Sequence, residues 1–118
     1  MATSYRMEIQ GLGNVLKRLT QKDKEIKKNI IGEFEFASSN IENEAKRRCH
    51  VDTGRLKASI KAELKRKYRS GKLNTIDVIV GSDVPYAIYM ERYDPYLYPA
   101  MEMYRPQLLN RLAGVLGR

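Results

Sequence analysis

The chain has 118 residues, of which 42% are hydrophobic, and its formal net charge is +8 at pH 7. This size predicts a single domain spanning residues 1–118 with mobile ends, and the hydrophobic fraction is too high for a wholly disordered protein. One cysteine and one histidine exclude an internal disulfide framework and a Cys/His metal cluster assembled from one copy of the chain.

The positive charge is concentrated in the middle of the chain. Residues 46–72 carry eleven Lys and Arg residues against Asp52 and Glu63, which gives a net charge of +9, whereas the remaining residues sum to −1. No apolar run approaches the roughly 20 residues of a membrane helix, and the first residues lack the apolar core of a secretory signal. We therefore expect a soluble intracellular protein.

The first half of the chain predicts one short strand followed by helices. Tyr5, Met7 and Ile9 alternate with polar residues, which is typical of a strand, and helical spacing then predicts a short helix ending near Leu19. A long helix follows, to about Arg48. Its apolar residues recur every three or four positions: Ile26, Ile30, Phe34, Ala37, Ile41, Ala45 and Cys49. Such a long stripe needs an equally long partner, and a sheet is the natural choice.

Two strands after the long helix predict a hairpin. Residues 60–68 and 76–80 both alternate between apolar and polar side chains, and a Ser-Gly-Lys sequence lies between them. Placing both apolar sets on one face requires paired residue numbers to sum to an even value, 142 or 144, so Asp77 lies opposite Lys65 or Lys67. The same parity predicts a turn of three or five residues.

The last third of the chain is rich in tyrosine and proline. Six of the eight tyrosines lie within residues 81–104. Pro99 suits the first turn of a final helix, and Pro106 must kink or restart that helix. Together the elements predict an α+β fold, in which a long N-terminal amphipathic helix packs on a small, mainly antiparallel sheet of three to four strands, with a C-terminal helix.

No constellation of residues predicts catalysis, a metal site or a cofactor site. Asp52-Thr53-Gly54 is the triplet with which aspartic proteases place one catalytic carboxylate. However, the bulky Arg55 follows where that class needs a small residue, and an ordinary turn or helix cap explains the triplet. Cys49 and His50 are adjacent, so they point apart on a regular element and do not form a thiolate–base pair.

The residues alone leave two binding functions open. The positive segment offers phosphate contacts and the tyrosines offer base stacking, which favours a nucleic acid. The candidate basic face consists of Lys61, Lys65, Lys67 and Arg69. Tyrosine and proline on short irregular segments are equally common where one protein binds another. A nucleic-acid-binding module and a protein-interaction component therefore remain alternatives at this point.

Four segments in a fixed order carry a resemblance to a known family. They are Gly11-Leu12; Glu44-Ala45-Lys46 followed by Val51-Asp52-Thr53-Gly54-Arg55-Leu56 and Ser59-Ile60; Tyr86-Ala87-Ile88-Tyr89-Met90-Glu91; and Pro95-Tyr96-Leu97-Tyr98-Pro99-Ala100. On these residues the chain resembles the tail-completion proteins of long-tailed bacteriophages, which are also called head–tail joining, neck or minor tail proteins. The resemblance covers most of the chain.

The resemblance implies a structural role in the virion. Such proteins form a ring, commonly hexameric, that caps the tail tube and docks to the head connector while DNA passes through it. It implies no reaction, no cofactor and no membrane partner. The expected location is the neck of the virion, after assembly in the bacterial host cytoplasm. The alternative function is a basic nucleic-acid-binding module that uses residues 46–72 and the tyrosines.

The resemblance also implies roles for particular residues. Thr53 and Gly54 would make the tight turn that returns the chain from the long helix to the sheet. The Asp52 carboxylate would cap the turn that follows, and Leu56 and Ile60 would anchor that turn to the core. The whole structural motif is Val51, Asp52, Thr53, Gly54, Arg55, Leu56, Ser59 and Ile60, with Arg55 as the candidate for an intersubunit or backbone contact. The expected interface set is Tyr86, Tyr89, Glu91, Tyr96, Leu97 and Pro99, which would pack the edge of the core and the ring interface.

Overall fold

The computed structural model describes residues 3–19, 24–49 and 54–116. These residues form five helices and three strands. In chain order the elements are β1 (Thr3–Met7), α1 (Leu12–Arg18), α2 (Lys24–Arg48), α3 (Gly54–Ser59), β2 (Lys61–Arg69), β3 (Lys72–Ser82), α4 (Ala87–Tyr93) and α5 (Leu97–Leu116). The predicted α+β fold, with one long helix before the hairpin and a second helix at the end, is confirmed.

The strands form one antiparallel sheet in the order β1-β3-β2. Val78 of β3 pairs with Met7 on one side and with Leu64 on the other. Because side chains alternate between the faces of a sheet, these three residues lie on the same face, and that face is apolar. The central strand β3 is therefore bonded on both sides, whereas β1 and β2 are edge strands.

Two helices cover the apolar face of the sheet. α2 packs on β2 and β3, and α5 packs on α2 and on β1. The helices run antiparallel to each other, since Arg48 near the end of α2 contacts Met103, whereas Glu33 contacts Arg111. The shorter α1 packs on β3.

The predicted apolar stripe of α2 is confirmed as its buried face. All of its residues after the first are buried: Ile30, Phe34, Ala37, Ile41, Ala45 and Cys49. They belong to one continuous core that includes Val78 and Val80 of β3 and Ala100 of α5. Full burial of an Ile or Phe side chain contributes about 1.5–3 kcal/mol, so this stripe is the main contribution of α2 to the stability of the fold.

The hairpin follows the predicted parity over most of its length. From Lys61 to Lys67 the paired residue numbers sum to 142, and Asp77 lies opposite Lys65 as expected. The register then shifts, because Asn74 is an extra residue in β3 that has no partner in β2.

The prediction of a three- or five-residue turn is wrong. Arg69 pairs with Lys72, which leaves only Ser70 and Gly71 in the loop. Both have positive φ angles, 53° and 77°, as in a type I′ turn, whose backbone twist matches that of the flanking strands. The parity argument assumed an uninterrupted ladder, and the bulge at Asn74 supplies the missing residue.

The second half of β2 extends beyond the core. Ala62 and Leu64 are half-buried, but Arg66 and Tyr68 on the same face are exposed. A groove of about 680 Å³ separates this part of the strand from α2. The Arg66 guanidinium crosses it to Glu35, at 3.2 Å. The apolar face predicted for this strand therefore holds for its first half only.

The final helix is continuous through its internal proline. Pro99 is its third residue, where the missing N–H has no intrahelical partner in any case. Pro106 lies inside the helix. The sequence predicted that this proline would either kink the helix or restart it, and the helix does not restart there. Among the described residues, no helix is long and apolar enough to cross a membrane.

The hairpin turn gives a first prediction about stability. Ser70→Asn should raise the free energy of unfolding by about 0.5 kcal/mol, because Asn-Gly is the preferred pair for a type I′ turn. Gly71→Ala should lower it by about 1 kcal/mol, because a Cβ is strained at positive φ. Urea unfolding of both variants measures this. Gly114→Ala, at an ordinary helical position, is the control, and equal midpoints for Gly71→Ala and wild type would contradict the assignment of the turn.

Candidate interaction surfaces

A buried carboxylate joins the last two helices. Glu91 of α4 is only 4% exposed. Its Oε1 accepts hydrogen bonds from the backbone N–H groups of Tyr96 and Leu97, both at 2.9 Å, and its Oε2 accepts one from Tyr98 at 3.2 Å. These N–H groups lie at the start of α5 and lack partners within the helix. Glu91 therefore caps α5 and places a negative charge at the positive end of the helix dipole.

The same carboxylate is hydrogen-bonded to the first strand. The Tyr5 hydroxyl of β1 donates to Glu91. Burial, and then the negative charge of Glu91, raise the pKa of Tyr5 above its ordinary value of 10.0. The Tyr5 ring also packs against Tyr98, with the centroids 5.4 Å apart and the planes tilted by 56°. One side chain thus connects β1, α4 and α5.

Tyr96 and Leu97 are core residues. Tyr96 is 2% exposed and Leu97 is fully buried. The Tyr96 hydroxyl donates to the Ala87 carbonyl at 3.3 Å, which ties the start of α5 to the start of α4. Burial is the largest cause of the raised pKa of Tyr96. Because they are buried, Tyr96 and Leu97 can contribute to an interface only indirectly, by holding α4 in position.

Four exposed hydrophobic side chains, three of them tyrosines, lie on α4 and at the start of α5. We call Ile88, Tyr89, Tyr93 and Tyr98 the aromatic surface. Their exposed fractions are 37%, 68%, 82% and 49%, respectively. Tyr89 and Tyr93 are one helical turn apart and so share a side of α4. The buried Ala87 and Glu91 lie on its inner side.

The structure divides the expected interface set. Glu91, Tyr96 and Leu97 are buried, Tyr86 and Pro99 are half-buried, and Tyr89 is exposed. Ile88, Tyr93 and Tyr98 of the aromatic surface are not in the expected interface set. The spacing of Tyr89 and Tyr93 was the available signal for one shared surface, whereas nothing local distinguishes the buried Tyr96 from the exposed Tyr98.

The described part of the structural motif anchors α3 to the end of β3. Leu56 and Ile60 are fully buried, and Arg55 is exposed. The Ser59 hydroxyl donates to the Leu56 carbonyl at 2.6 Å and lies 2.5 Å from the Ser82 hydroxyl. Ser82 in turn accepts a hydrogen bond from the Val84 N–H, at 3.1 Å. Gly54 begins α3, while Val51, Asp52 and Thr53 lie outside the described residues.

The candidate basic residues lie on one face of β2. Lys61, Lys65, Lys67 and Arg69 are all exposed, and strand alternation places them on the face opposite the core. Asp77 of β3 lies on this face with only 2% exposure. Lys67 Nζ is 3.3 Å from its Oδ2, and Arg6 Nη1 of β1 is 3.7 Å from the same atom. We call the four β2 residues the basic face.

A second buried carboxylate lies near the end of α2. Glu44 is 7% exposed and accepts hydrogen bonds from Arg47 and, at 2.7 Å, from Arg48 Nε. The hydrogen bond from Arg47 is the largest cause of the lowered pKa of Glu44, and it raises the pKa of Arg47. Arg48 also reaches the Met103 sulfur of α5, at 3.9 Å. In the described ranges, no group of three or more Cys, His, Asp or Glu residues is arranged to hold a metal ion.

The chain matches a known family of phage proteins. Residues 11–92 match the family of the bacteriophage HK97 gp10 protein, described as a proposed tail component. The chain belongs to the HK97 gp10-like family. As a member, it has a structural role in a bacteriophage virion, as a tail component that contacts other phage structural proteins. The resemblance to phage tail and neck proteins is thereby confirmed at the level of the family.

The match to the HK97 gp10-like family covers α1 to α4 and includes both the motif around Gly54 and the start of the aromatic surface. β1 and α5 lie outside the matched residues, although Glu91 is bonded to both. No curated protein and no solved structure gives a significant match to this chain.

The cap formed by Glu91 gives a prediction about stability. Glu91→Gln should lower the free energy of unfolding by about 1–3 kcal/mol, because the amide offers one acceptor oxygen and leaves at least one buried N–H without a partner. Urea unfolding at pH 7 measures the change. Glu63→Gln, at an exposed position, is the control and should change stability by less than about 0.5 kcal/mol. Equal losses in the two variants would contradict the role assigned to Glu91.

Glu44 gives a prediction about pH. Its pKa is lowered in the folded protein, so its ionised form stabilises the fold above its ordinary value of 4.5, and this stabilisation is lost as the pH falls through the lowered value. Glu44→Gln should therefore cost about 1 kcal/mol at pH 7, and the difference from wild type should shrink below pH 4.5. Unfolding midpoints from pH 2 to pH 7 measure this, with Glu63→Gln as control because Glu63 is exposed. A difference independent of pH would refute it.

Proposed function

We propose that this protein completes the end of the phage tail and joins it to the head connector, as a subunit of a ring that is hexameric in the virion. In this role it binds copies of itself, the head connector and the tail tube, and it lies at the neck after assembly in the bacterial host cytoplasm. The role is non-enzymatic and needs no cofactor, and residues 1–118 act as one domain. Membership of the HK97 gp10-like family supports the proposal.

The aromatic surface is the observation that carries the proposal. Tyr89 is 68% exposed and Tyr93 is 82% exposed, on a helix whose inner side is held by Glu91. Aromatic side chains are enriched at protein interfaces because they bury a large area at a low cost in conformational entropy. A helix that presents such residues outward suits a lasting contact with another structural protein.

A ring requires two different surfaces on each subunit. In a closed ring every subunit uses one patch to contact the next subunit and a second patch to contact the previous one. The aromatic surface supplies one candidate patch. The exposed Arg55 of α3 supplies a candidate for the second, because the buried Leu56 and Ile60 fix its position on the surface. The remaining expected interface residues, Tyr86 and Pro99, are half-buried beside the aromatic surface.

The proposed role in joining is tested in the phage that encodes the protein. Deleting the gene should yield DNA-filled heads and separate tails in negative-stain images, with complete virions restored by the wild-type gene. Complementation with Tyr89→Ser should restore at least tenfold fewer infectious particles, because the variant removes an exposed aromatic residue from the proposed contact.

Tyr68→Ser is the matched control for this experiment. Tyr68 is 62% exposed, similar to Tyr89, but it lies on the far part of β2. It should restore infectivity fully. Normal virions in the deletion strain would refute the role in joining. Equal titres for Tyr89→Ser and Tyr68→Ser would leave that role intact and refute the aromatic surface as the contact.

A further inference from the structure

The basic face carries three exposed positive charges besides that of Lys67. Lys67 is paired with the buried Asp77. Lys61, Lys65 and Arg69 are exposed, and none of them forms an ion pair with a residue that the structure describes. Glu63, on the same face of β2, is also exposed. The face therefore keeps a positive charge that is available to an external anion.

The three charges form an evenly spaced row. Lys61, Lys65 and Arg69 are four residues apart along one strand, which places them about 13 Å from one another and spans about 26 Å in total. Hydrogen bonds to β3 run along β2 from Lys61 to Arg69, with one shift of register between Lys67 and Tyr68. Asp77 pairs with Lys67 and Arg6 on the same face, and not with the three charges of the row.

A linear row of cations suits a linear polyanion. Double-stranded DNA carries one negative charge per about 1.7 Å of its axis, so a row of about 26 Å faces roughly eight base pairs. Lysine and arginine side chains on a strand surface contact phosphates, which carry no sequence information. The basic face has no helix that could enter a DNA groove and no aromatic side chain on which a base could stack. It can therefore contact only the phosphate backbone of the DNA.

We propose that the basic face of β2 contacts the phosphate backbone of double-stranded DNA through Lys61, Lys65 and Arg69, without sequence preference. If the protein forms the proposed ring, this is the face that lies towards the DNA in the channel. That location rests on the proposed function, whereas the contact itself is a property of the purified protein. The two can therefore fail separately.

The proposed contact is weak in one subunit and additive in a ring. Three phosphate contacts correspond to a slope of about −2.7 in log K against log salt, which is a loss of about 40-fold in affinity between 50 and 200 mM salt. Non-specific contacts of this kind have dissociation constants of about 10⁻⁴ to 10⁻⁶ M. Several subunits around one duplex strengthen the binding through effective concentration. Each contact alone still breaks readily, so DNA can slide past.

The test is fluorescence anisotropy of a labelled 24-base-pair duplex with the full-length protein at 25 to 200 mM salt. The triple variant Lys61→Gln, Lys65→Gln, Arg69→Gln should make the salt slope less negative by about 2.7. The control variant Lys24→Gln, Lys27→Gln, Lys28→Gln removes the same charge from the start of α2 and should leave the slope within about one unit of wild type. Circular dichroism and urea midpoints confirm that both variants fold.

Three outcomes would overturn the proposal. The first is an absence of binding at 25 mM salt, and the second is an equal change of the salt slope in the two triple variants. The third is an affinity for a poly-glutamate peptide of the same charge that equals the affinity for the duplex. That result would assign the face to an acidic protein. If the first triple variant unfolds, Lys65→Gln should still change the slope by about 0.9. The double variant Lys61→Arg, Lys65→Arg preserves both charges and should keep the wild-type salt slope. A changed slope in this variant would also contradict the proposed contact.

Discussion

The fold of the last third of the chain depends on the Glu91 carboxylate. Its two oxygens accept three backbone hydrogen bonds at the start of α5, and the Tyr5 hydroxyl donates to the same group. A carboxylate 96% buried is costly unless such donors surround it. The backbone donors lie at the end of the irregular stretch that follows α4, and the Tyr5 hydroxyl comes from β1. The buried Glu91 carboxylate therefore needs these donors, and the donors need the carboxylate. Together they connect β1, α4 and α5.

This interaction decides which tyrosines are inside and which are outside. Once the Tyr96 and Leu97 N–H groups bind Glu91, their side chains enter the core, and Tyr98, the next residue, packs on Tyr5 while keeping 49% of its surface exposed. Tyr89 and Tyr93 lie on the outer side of α4 because Glu91 occupies the inner side. The aromatic surface is thus a consequence of a buried polar interaction.

The sequence predicted what depends on local periodicity and missed what depends on tertiary partners. The stripe of α2 was predictable because a helix repeats its buried face every three or four residues, from Ile30 to Cys49. The pairing of Asp77 with a lysine of β2 was predictable because strand faces alternate, and the structure selects Lys65 from the two candidates, Lys65 and Lys67. The turn was not, because nothing in the sequence marks Asn74 as an extra residue. The role of Glu91 was missed because its partners lie five to seven residues later, which is not the spacing of a helix cap within one turn.

The two surfaces have opposite physical character, and this suits the two contacts proposed for them. A contact between structural proteins must persist, which favours aromatic side chains that become buried in it, such as Tyr89 of α4. A contact with moving DNA must form and break, which favours exposed lysine and arginine charges that water and salt screen. In this chain Glu91 positions the helix that carries the aromatic surface, whereas the lysine and arginine side chains lie on the outer face of the edge strand β2. α4 and β2 are separate elements of the fold. A partner bound tightly to the aromatic surface therefore does not hold a molecule that contacts the basic face.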